Sequence, residues 1–487
     1  MEGDMKRGKI ILMVVVILSL VSRKGYGQES PEEILLTAPL FFENRIPEEL
    51  TEITELADEI VYGKIGVHVR FVPVLRLTGK DTRRNKEMLL LEREGAVFDL
   101  LHASMNGYEF AEITELVAEY GTDILELFKK NGQDLLEGNE LRSIPSLGDY
   151  VSGQGIAMRK DILEKYKISL DSLQTYADFD QLFAWLAPLE ERMKMICSYS
   201  TKRGLLYRYT WNGFENTVFC VSEDDGEVAN WYGTQDYREL VQLFRKWYEQ
   251  GYLYEYSALQ EIQAADLVRS GILFSYVCAY KPGIETEVSN HCGRSMVVKE
   301  LTKPMITNAS LERGCWGISK ECAYPEKAMQ LLNLLYTDRD LINLLANGIE
   351  GVHYKKCEDD TIVPAGREGF FNDASWILPN QYMTDVRYGD DARLWDMLDC
   401  YNRSAVEAPN LFFAFDDTAV KAENAAINKI ASEYTYGLES GQLDPDIYLP
   451  EMLGKMQEAG ETQVCLELSG QYQAWRTEQK ERNGGKK

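Results

Sequence analysis

At 487 residues, 45% of them hydrophobic and 27% charged, the chain is too long for one compact core, and two domains are the natural expectation. Its 78 acidic side chains against 52 basic ones leave a formal charge of −26. A field of that sign repels phosphate backbones and anionic membrane surfaces, which disfavours nucleic-acid binding, and its dispersal through amphipathic segments reads as solvated surface.

Lys6, Arg7 and Lys9 precede an apolar run from Ile10 to Val21. That run is shorter than the roughly 20 residues of a membrane-crossing helix but fits the core of an export signal. Gly25-Tyr26-Gly27 sets small residues before a cleavage point at Gln28, while Arg23 and Lys24 make the site imperfect and leave an uncleaved, tethered end open. Residues 1–27 are therefore expected to be a signal peptide or N-terminal anchor. With no later run of about 18 apolar residues, the body is expected to be soluble.

Ile34-Leu35-Leu36 reads as a first strand, followed by a loop from Pro39 to Pro47 and a helix from Leu50 to Ile60 with Ile53, Leu56, Ala57 and Ile60 at helical spacing. Val67 to Val74 alternates as a half-buried strand, Asn85 to Glu94 is helical, and Val97 to Leu101 forms a third strand. Strands separated by helices predict a mostly parallel α/β sheet with its binding crevice beyond the strands' carboxyl ends. Ser104 and Asn106, just past the third strand, thus become candidates. A second α/β stretch starts near Ser146; Gly148 to Gly155 suits a chain crossing between lobes and leads to a strand at Gly155–Met158.

Tyr237 to Gly251 is an amphipathic helix carrying Leu240, Val241, Phe244 and Trp247. Ala264 to Ser270 precedes a strand at Ile272–Val277, and the break at Lys281-Pro282-Gly283 is where a cleft loop belongs. Pro325 opens a helix with Ala328, Leu331, Leu332 and Leu335 on one face. Thr337 with Asp340 suggests the cap of the next helix, which Gly348 ends. The last third is mainly helical, including Val420 to Tyr434 and a short helix opened by Asp444-Pro445.

Sequence templates for catalysis are absent: there is no nucleophile elbow, zinc-protease pair or phosphate loop, so no catalytic residue is expected. Paired carboxylates for glycoside hydrolysis leave no sequence mark. His68, His102, His291 and His353 lie far apart and no CxxC occurs, so neither a metal nor a cofactor is expected. The nine cysteines, odd in number, read as buried thiols, although Cys315 and Cys322 are close enough in sequence to pair. Aromatic residues reach 11%, and Tyr108, Tyr150, Trp211, Trp231, Tyr280, Trp316 and Trp376 fall on or beside the loops above. Flat rings with polar neighbours suit sugars; taken singly, each is better explained by packing.

Several segments in order resemble the family 1 extracellular solute-binding proteins of ABC importers, in the Gram-positive branch that ends in DUF3502. They are Phe98-Asp99-Leu100-Leu101; Ile144-Pro145-Ser146; Met158-Arg159-Lys160-Asp161-Ile162-Leu163; Lys246-Trp247-Tyr248-Glu249-Gln250-Gly251; Trp316-Gly317-Ile318-Ser319; and Gly348-Ile349-Glu350-Gly351-Val352-His353-Tyr354. The tail adds Glu423-Asn424-Ala425-Ala426 and Gln471-Tyr472-Gln473-Ala474-Trp475.

The resemblance implies a two-lobed, periplasmic-binding-protein-like α/β fold of type II with a hinge and a largely helical C-terminal region. The lobes are expected at 31–145 plus 290–323 and at 146–289 plus 324–487, with the DUF3502-like part at about 340–485. It places Ser104, Asn106, Tyr280, Lys281, Trp316 and Glu350 at the cleft, to which the aromatic loops add Tyr150, Trp211 and Trp376. The turn around Glu350 reads equally as structural.

The implied partners are a small solute, favoured to be a sugar, and the membrane permease subunits of an ABC importer, with the protein a monomer exported to the Gram-positive cell surface or medium. The first cysteine is Cys197, so the lipid-anchoring cysteine usual in the family is missing. A sensory surface protein of the same fold and a glycoside-processing enzyme stay open as alternatives.

Overall fold

The computed structural model describes residues 33–484 apart from 44, 76–96, 106, 131–133, 137–139, 198–208, 211–213, 215–216, 223–225, 255–262 and 367–369. Segment 1–27, the helix expected over 85–94, Asn106 and Trp211 lie outside the described residues.

The strand Leu35–Phe42 runs parallel to His68–Leu75, with Leu35 opposite His68 and Phe42 opposite Leu75. It passes straight through Pro39, where the sequence suggested a loop. Thr37 donates its N–H to Asp99 Oδ2 at 2.8 Å and accepts the Asp99 N–H at 2.9 Å, so its edge faces away from His68–Leu75. Pro39, two residues on, shares that edge, and its missing N–H removes nothing from the parallel ladder. Asp99 also accepts the Ser319 N–H on its carbonyl. The acidic residue of the Phe98-Asp99-Leu100-Leu101 segment is therefore a structural clasp between strands.

Leu100–His102 pairs antiparallel with Cys315–Ile318, which pairs antiparallel with Ile144–Pro145. Helices Leu50–Ile65, Thr114–Tyr120, Thr122–Lys130, Pro325–Thr337 and Arg339–Asn347 contribute Ile53, Val61, Val117, Phe128, Leu332 and Leu345 to the core of this first lobe.

A five-stranded sheet builds the second lobe, in the order Leu253–Tyr254, Lys194–Cys197, Leu273–Tyr280, Gly153–Arg159, Met296–Glu300. Gly153–Arg159 is antiparallel to both of its neighbours. Ile156, Phe179, Phe183, Phe244, Trp247 and Phe274 fill its main core. In each lobe the reversed strand is the one that arrives from the other lobe, namely Gly153–Arg159 in the second and Cys315–Ile318 in the first.

A third core belongs to helices Lys421–Glu439, Pro445–Glu458 and Glu461–Gly484 with the strands Phe219–Ser222 and Val228–Asn230. The helix Gln235–Glu249 has two apolar faces. Tyr237 and Val241 enter the third core, while Leu240, Phe244 and Trp247 enter the second lobe.

The strands and cores divide the chain elsewhere than at the expected boundaries. Met296–Glu300 is a strand of the second sheet, and residues from Ala328 to Ala346 and from Phe370 to Leu378 share the first core. The helix cap also moves by one residue. Asp338 accepts the Leu341 N–H at 3.0 Å, because Thr337 is still helical and turns its hydroxyl back to the Asn333 carbonyl.

No two of the nine cysteines are joined in a disulfide, and burial pushes the Cys197 thiol up to about 12. Among the described residues, no helix is long and apolar enough to cross a membrane.

Gly441 tests the joint between the helical region and the second lobe. Its φ is +72°, and a Cβ there would lie 2.5 Å from the Phe244 carbonyl oxygen. Gly441→Ala is expected to lower the unfolding free energy in urea by at least about 2 kcal/mol, since left-handed strain adds to a clash with backbone. A change under about 0.5 kcal/mol, the size of an ordinary surface substitution, would mean that this contact is loose.

Candidate functional site

Among the described residues three stretches carry the chain between the lobes, 146–152, 301–307 and 379–393, and backbone pairing ties the first to the third and the second to residues 406–407. Leu147 donates to the Pro379 carbonyl at 2.8 Å and accepts from Gln381 N–H at 2.7 Å. Met305–Ile306 lies parallel to Val406–Glu407.

Lys281 leaves the end of strand Leu273–Tyr280 and donates to Asp149 on the first crossing and to Glu287 at 3.1 Å. Its side chain is only 14% exposed and that of Asp149 18%, so this pair is largely withdrawn from water. Burial opposes the ammonium charge, yet Asp149 and Glu287 outweigh it and hold the Lys281 pKa above its ordinary value.

Arg387, on the third crossing, lies over the ring of Phe371 and has Asp390, Asp373 and Glu287 around it. Burial pulls its pKa down, and the guanidinium stays charged at neutral pH. Burial likewise raises the Asp390 carboxyl, with Glu287 adding to the effect. Asp373 comes from the first lobe, where it accepts the Glu43 N–H at 2.7 Å, and Glu287 from the second. The charged cluster thus spans both lobes.

Aromatic rings border it. Tyr401 Oη lies 3.1 Å from the Tyr280 carbonyl and 3.2 Å from Glu300 Oε1, accepts the Gly153 N–H, and its ring meets that of Tyr280 at 5.9 Å. Tyr382 Oη accepts from Asn402, and the Tyr382 ring lies 6.3 Å from that of Trp395. Tyr150, Tyr280, Tyr382, Trp395 and Tyr401 are all half-buried, leaving ring surface open to a solute.

Of the residues singled out from sequence, Tyr150, Tyr280 and Lys281 fall in this neighbourhood. Trp376 is half-buried on the first lobe and donates to Glu43 Oε1 at 3.1 Å, next to Asp373. Ser104 ends the third strand's loop with its hydroxyl 2.8 Å from His102 Nδ1.

Trp316 does not present a face to solute. It is 2% exposed, packs edge-on against Phe41 and His102, and spends its indole N–H on the Ile377 carbonyl. A tryptophan on a strand that is central to its sheet has nowhere to point but the core.

Glu350 pairs with Lys356 at 3.5 Å and lines a concavity of about 480 Å³ with Leu56, Arg339, Asn343, Tyr354 and, from the third crossing, Asp385. The turn around it is held by His353, whose Nδ1 accepts the Ile349 N–H at 3.0 Å. At Gly348, with φ +79°, a Cβ would meet that same ring at 2.8 Å. The segment's glycine and histidine are thereby explained by structure alone.

The sequence reading missed Phe371, Tyr382, Arg387, Asp390 and Tyr401. Its one available signal was the density of aromatic and charged residues between Phe370 and Tyr401.

Residues 409–477 match the domain of unknown function DUF3502. A carbohydrate ABC transporter substrate-binding protein of Streptococcus pneumoniae is 23% identical over 453 residues, which cover 88% of this chain and 88% of that protein. Among solved structures, the N-glycan transport solute binding protein of S. pneumoniae superposes with a TM-score of 0.77 at 20% identity, covering 91% of this chain and 99% of that one. The chain has the fold of the solute-binding proteins.

The same pneumococcal protein in complex with Man5GlcNAc gives a TM-score of 0.66, again at 20% identity, covering 91% of this chain and 98% of that one. In the solute-binding fold the DUF3502 match occupies the third core and the loop that leads into it.

Lys281→Met leaves the largely buried Asp149 without its cation, and stability in urea is expected to fall by about 3 kcal/mol. The folded-state pKa of Lys281 lies above the free value of 10.5. Its contribution is therefore complete below that value and is lost only as the pH rises through the folded pKa, so the deficit should be equal at about pH 7 and about pH 9. A deficit that vanished by about pH 9 would show that the ammonium is not held by Asp149 and Glu287.

Proposed function

We propose that the chain is an extracellular solute-binding protein that captures an oligosaccharide and delivers it to the permease subunits of an ABC importer. The observation that carries this reading is the cluster at the crossings, where charged groups from both lobes stand beside half-open aromatic rings. Rings offer apolar faces to the C–H side of a sugar, and fixed charged groups bind its hydroxyls. Ions from the two lobes meet only when the lobes are held together, so a solute bound among them favours one lobe arrangement over others.

The pneumococcal relatives support the carbohydrate class. One is described as a carbohydrate transporter component, and the other is seen with glycans bound. That relative superposes less well in its Man1GlcNAc and Man5GlcNAc complexes, at TM-scores of 0.69 and 0.66, than in the form described without ligand, at 0.77. The direction is the one expected of a hinged trap. In this reading the protein acts as an exported monomer, performs no chemistry on its solute, and uses its N-terminal apolar segment for export or tethering.

A thermal-shift series with mannose–N-acetylglucosamine oligosaccharides tests it. A glycan at 100 times its dissociation constant should add about 2.7 kcal/mol of stability and remain intact on chromatography. Tyr280→Ala and Trp376→Ala should shrink the shift, whereas Trp316→Phe should lower the melting point and keep the shift. Released product would make the chain a glycosidase, and the lack of any glycan shift would remove carbohydrate as the solute.

A further inference from the structure

We infer that Phe412 is a stacking platform for a sugar ring of the bound oligosaccharide, an inference that rests on the carbohydrate-binding reading above. A single exposed aromatic is ordinary on a protein surface and by itself says nothing. The backbone is what sets Phe412 apart. It occupies the third position of a turn closed by the Phe413 N–H on the Asn410 carbonyl at 3.0 Å, with φ at +70°. Glycine or asparagine belongs at such a position, because a β-carbon there crowds the backbone. Phe412 is 72% exposed, so its ring returns little of that strain as packing.

The surroundings hold the strained residue in place from both sides. Asn308 Oδ1 accepts the Phe412 N–H at 2.7 Å, while Asn308 Nδ2 donates to the Phe413 carbonyl at 2.7 Å. Phe413 itself is buried against Phe214, Tyr472 and Trp475. A turn whose backbone is hydrogen-bonded in place and that presents a bare ring suits a ligand contact, since little loop entropy is lost on binding.

Its place in the fold agrees. The turn hangs from the paired crossing strands, with the Ala408 N–H on the Ile306 carbonyl, and its anchor Asn308 opens the helix that follows the second crossing. Tyr401 and Glu300 precede those paired strands in their two segments, and Phe412 and Asn308 follow them. The turn is thus attached to the paired strands that follow Tyr401 and Glu300 along their two segments, and in this proposal its exposed ring offers a second sugar unit of an extended glycan a flat apolar face.

The test compares wild type with Phe412→Asn and Phe412→Trp, using Man1GlcNAc and Man5GlcNAc as probes in calorimetric titration and in melting without ligand. Asparagine accepts positive φ and removes the ring, so Phe412→Asn should melt no lower than wild type and bind the longer glycan roughly tenfold more weakly. Phe412→Trp keeps a platform and should retain affinity within about threefold. If wild type binds glycan and Phe412→Asn binds it equally well, the stacking role is wrong. Should Phe412→Asn melt clearly lower, the ring packs within the protein and the assignment also falls. If wild type takes up neither glycan, the carbohydrate reading fails and this proposal with it.

Discussion

Everything in this molecule hangs on the way its chain crosses between lobes. Gly153–Arg159 enters its sheet directly from the first crossing, Cys315–Ile318 enters its own after the short helix Asn308–Arg313 that follows the second, and both run against the direction of their neighbours. Such a strand is locked by ladders on both edges, so each crossing is anchored in a sheet and not in a surface loop. The Leu147 pairing with Pro379 and Gln381 binds the first crossing to the third, and the parallel bridge between Met305–Ile306 and Val406–Glu407 binds the second to the chain just beyond the third. Relative motion of the lobes is thereby confined to the few residues between these anchors.

This confinement explains where the ions sit. Lys281 and Asp149 are largely withdrawn from water beside the first crossing, with Glu287 reaching Lys281 from the exposed side, and Arg387 faces carboxylates of both lobes from the third. Buried ion pairs are a poor source of net stability compared with apolar packing, but they are specific, since a separated partner is left charged and dry. At a joint between moving bodies that property is useful. A few ångströms of lobe displacement change the energy of such a cluster more than they change a hydrophobic contact, so a solute that bridges it can bias the equilibrium between arrangements.

The sequence was legible where the periodicity was strong and the partners local. Helices Pro325–Thr337 and Gln235–Glu249 carry their apolar faces and stops in plain view. The first strand was cut short because Pro39 reads as a breaker when the free edge of its strand is unknown. Lobe boundaries were misplaced because Met296–Glu300 joins its sheet through pairing with residues far away in sequence, and no local pattern records which sheet claims a strand. Site residues divide the same way. Lys281 follows a strand at a visible break, so its place beside the crossings was legible, whereas the places of Arg387 and Tyr401 depend on neighbours from other segments. Trp316 was misjudged because a tryptophan beside a loop in sequence and a tryptophan in a core look alike until the strand order is known.

The two-faced helix Gln235–Glu249 carries the argument one step further. Because Leu240, Phe244 and Trp247 are buried with the second lobe while Tyr237 and Val241 are buried with the helical region, those two bodies share one rigid element and move together. The Phe412 turn belongs to the helical region through Phe413, yet its amide is held by Asn308 just beyond the second crossing. Gly148 makes the same point on the first crossing. A Cβ there would lie 2.7 Å from the Gln381 side chain, so the first and third crossings touch with no room between them. Displacement of one lobe against the other therefore acts on the first and third crossings together, and the charged groups beside them, Lys281 with Asp149 and Arg387 with Asp390, feel it as a pair of linked contacts.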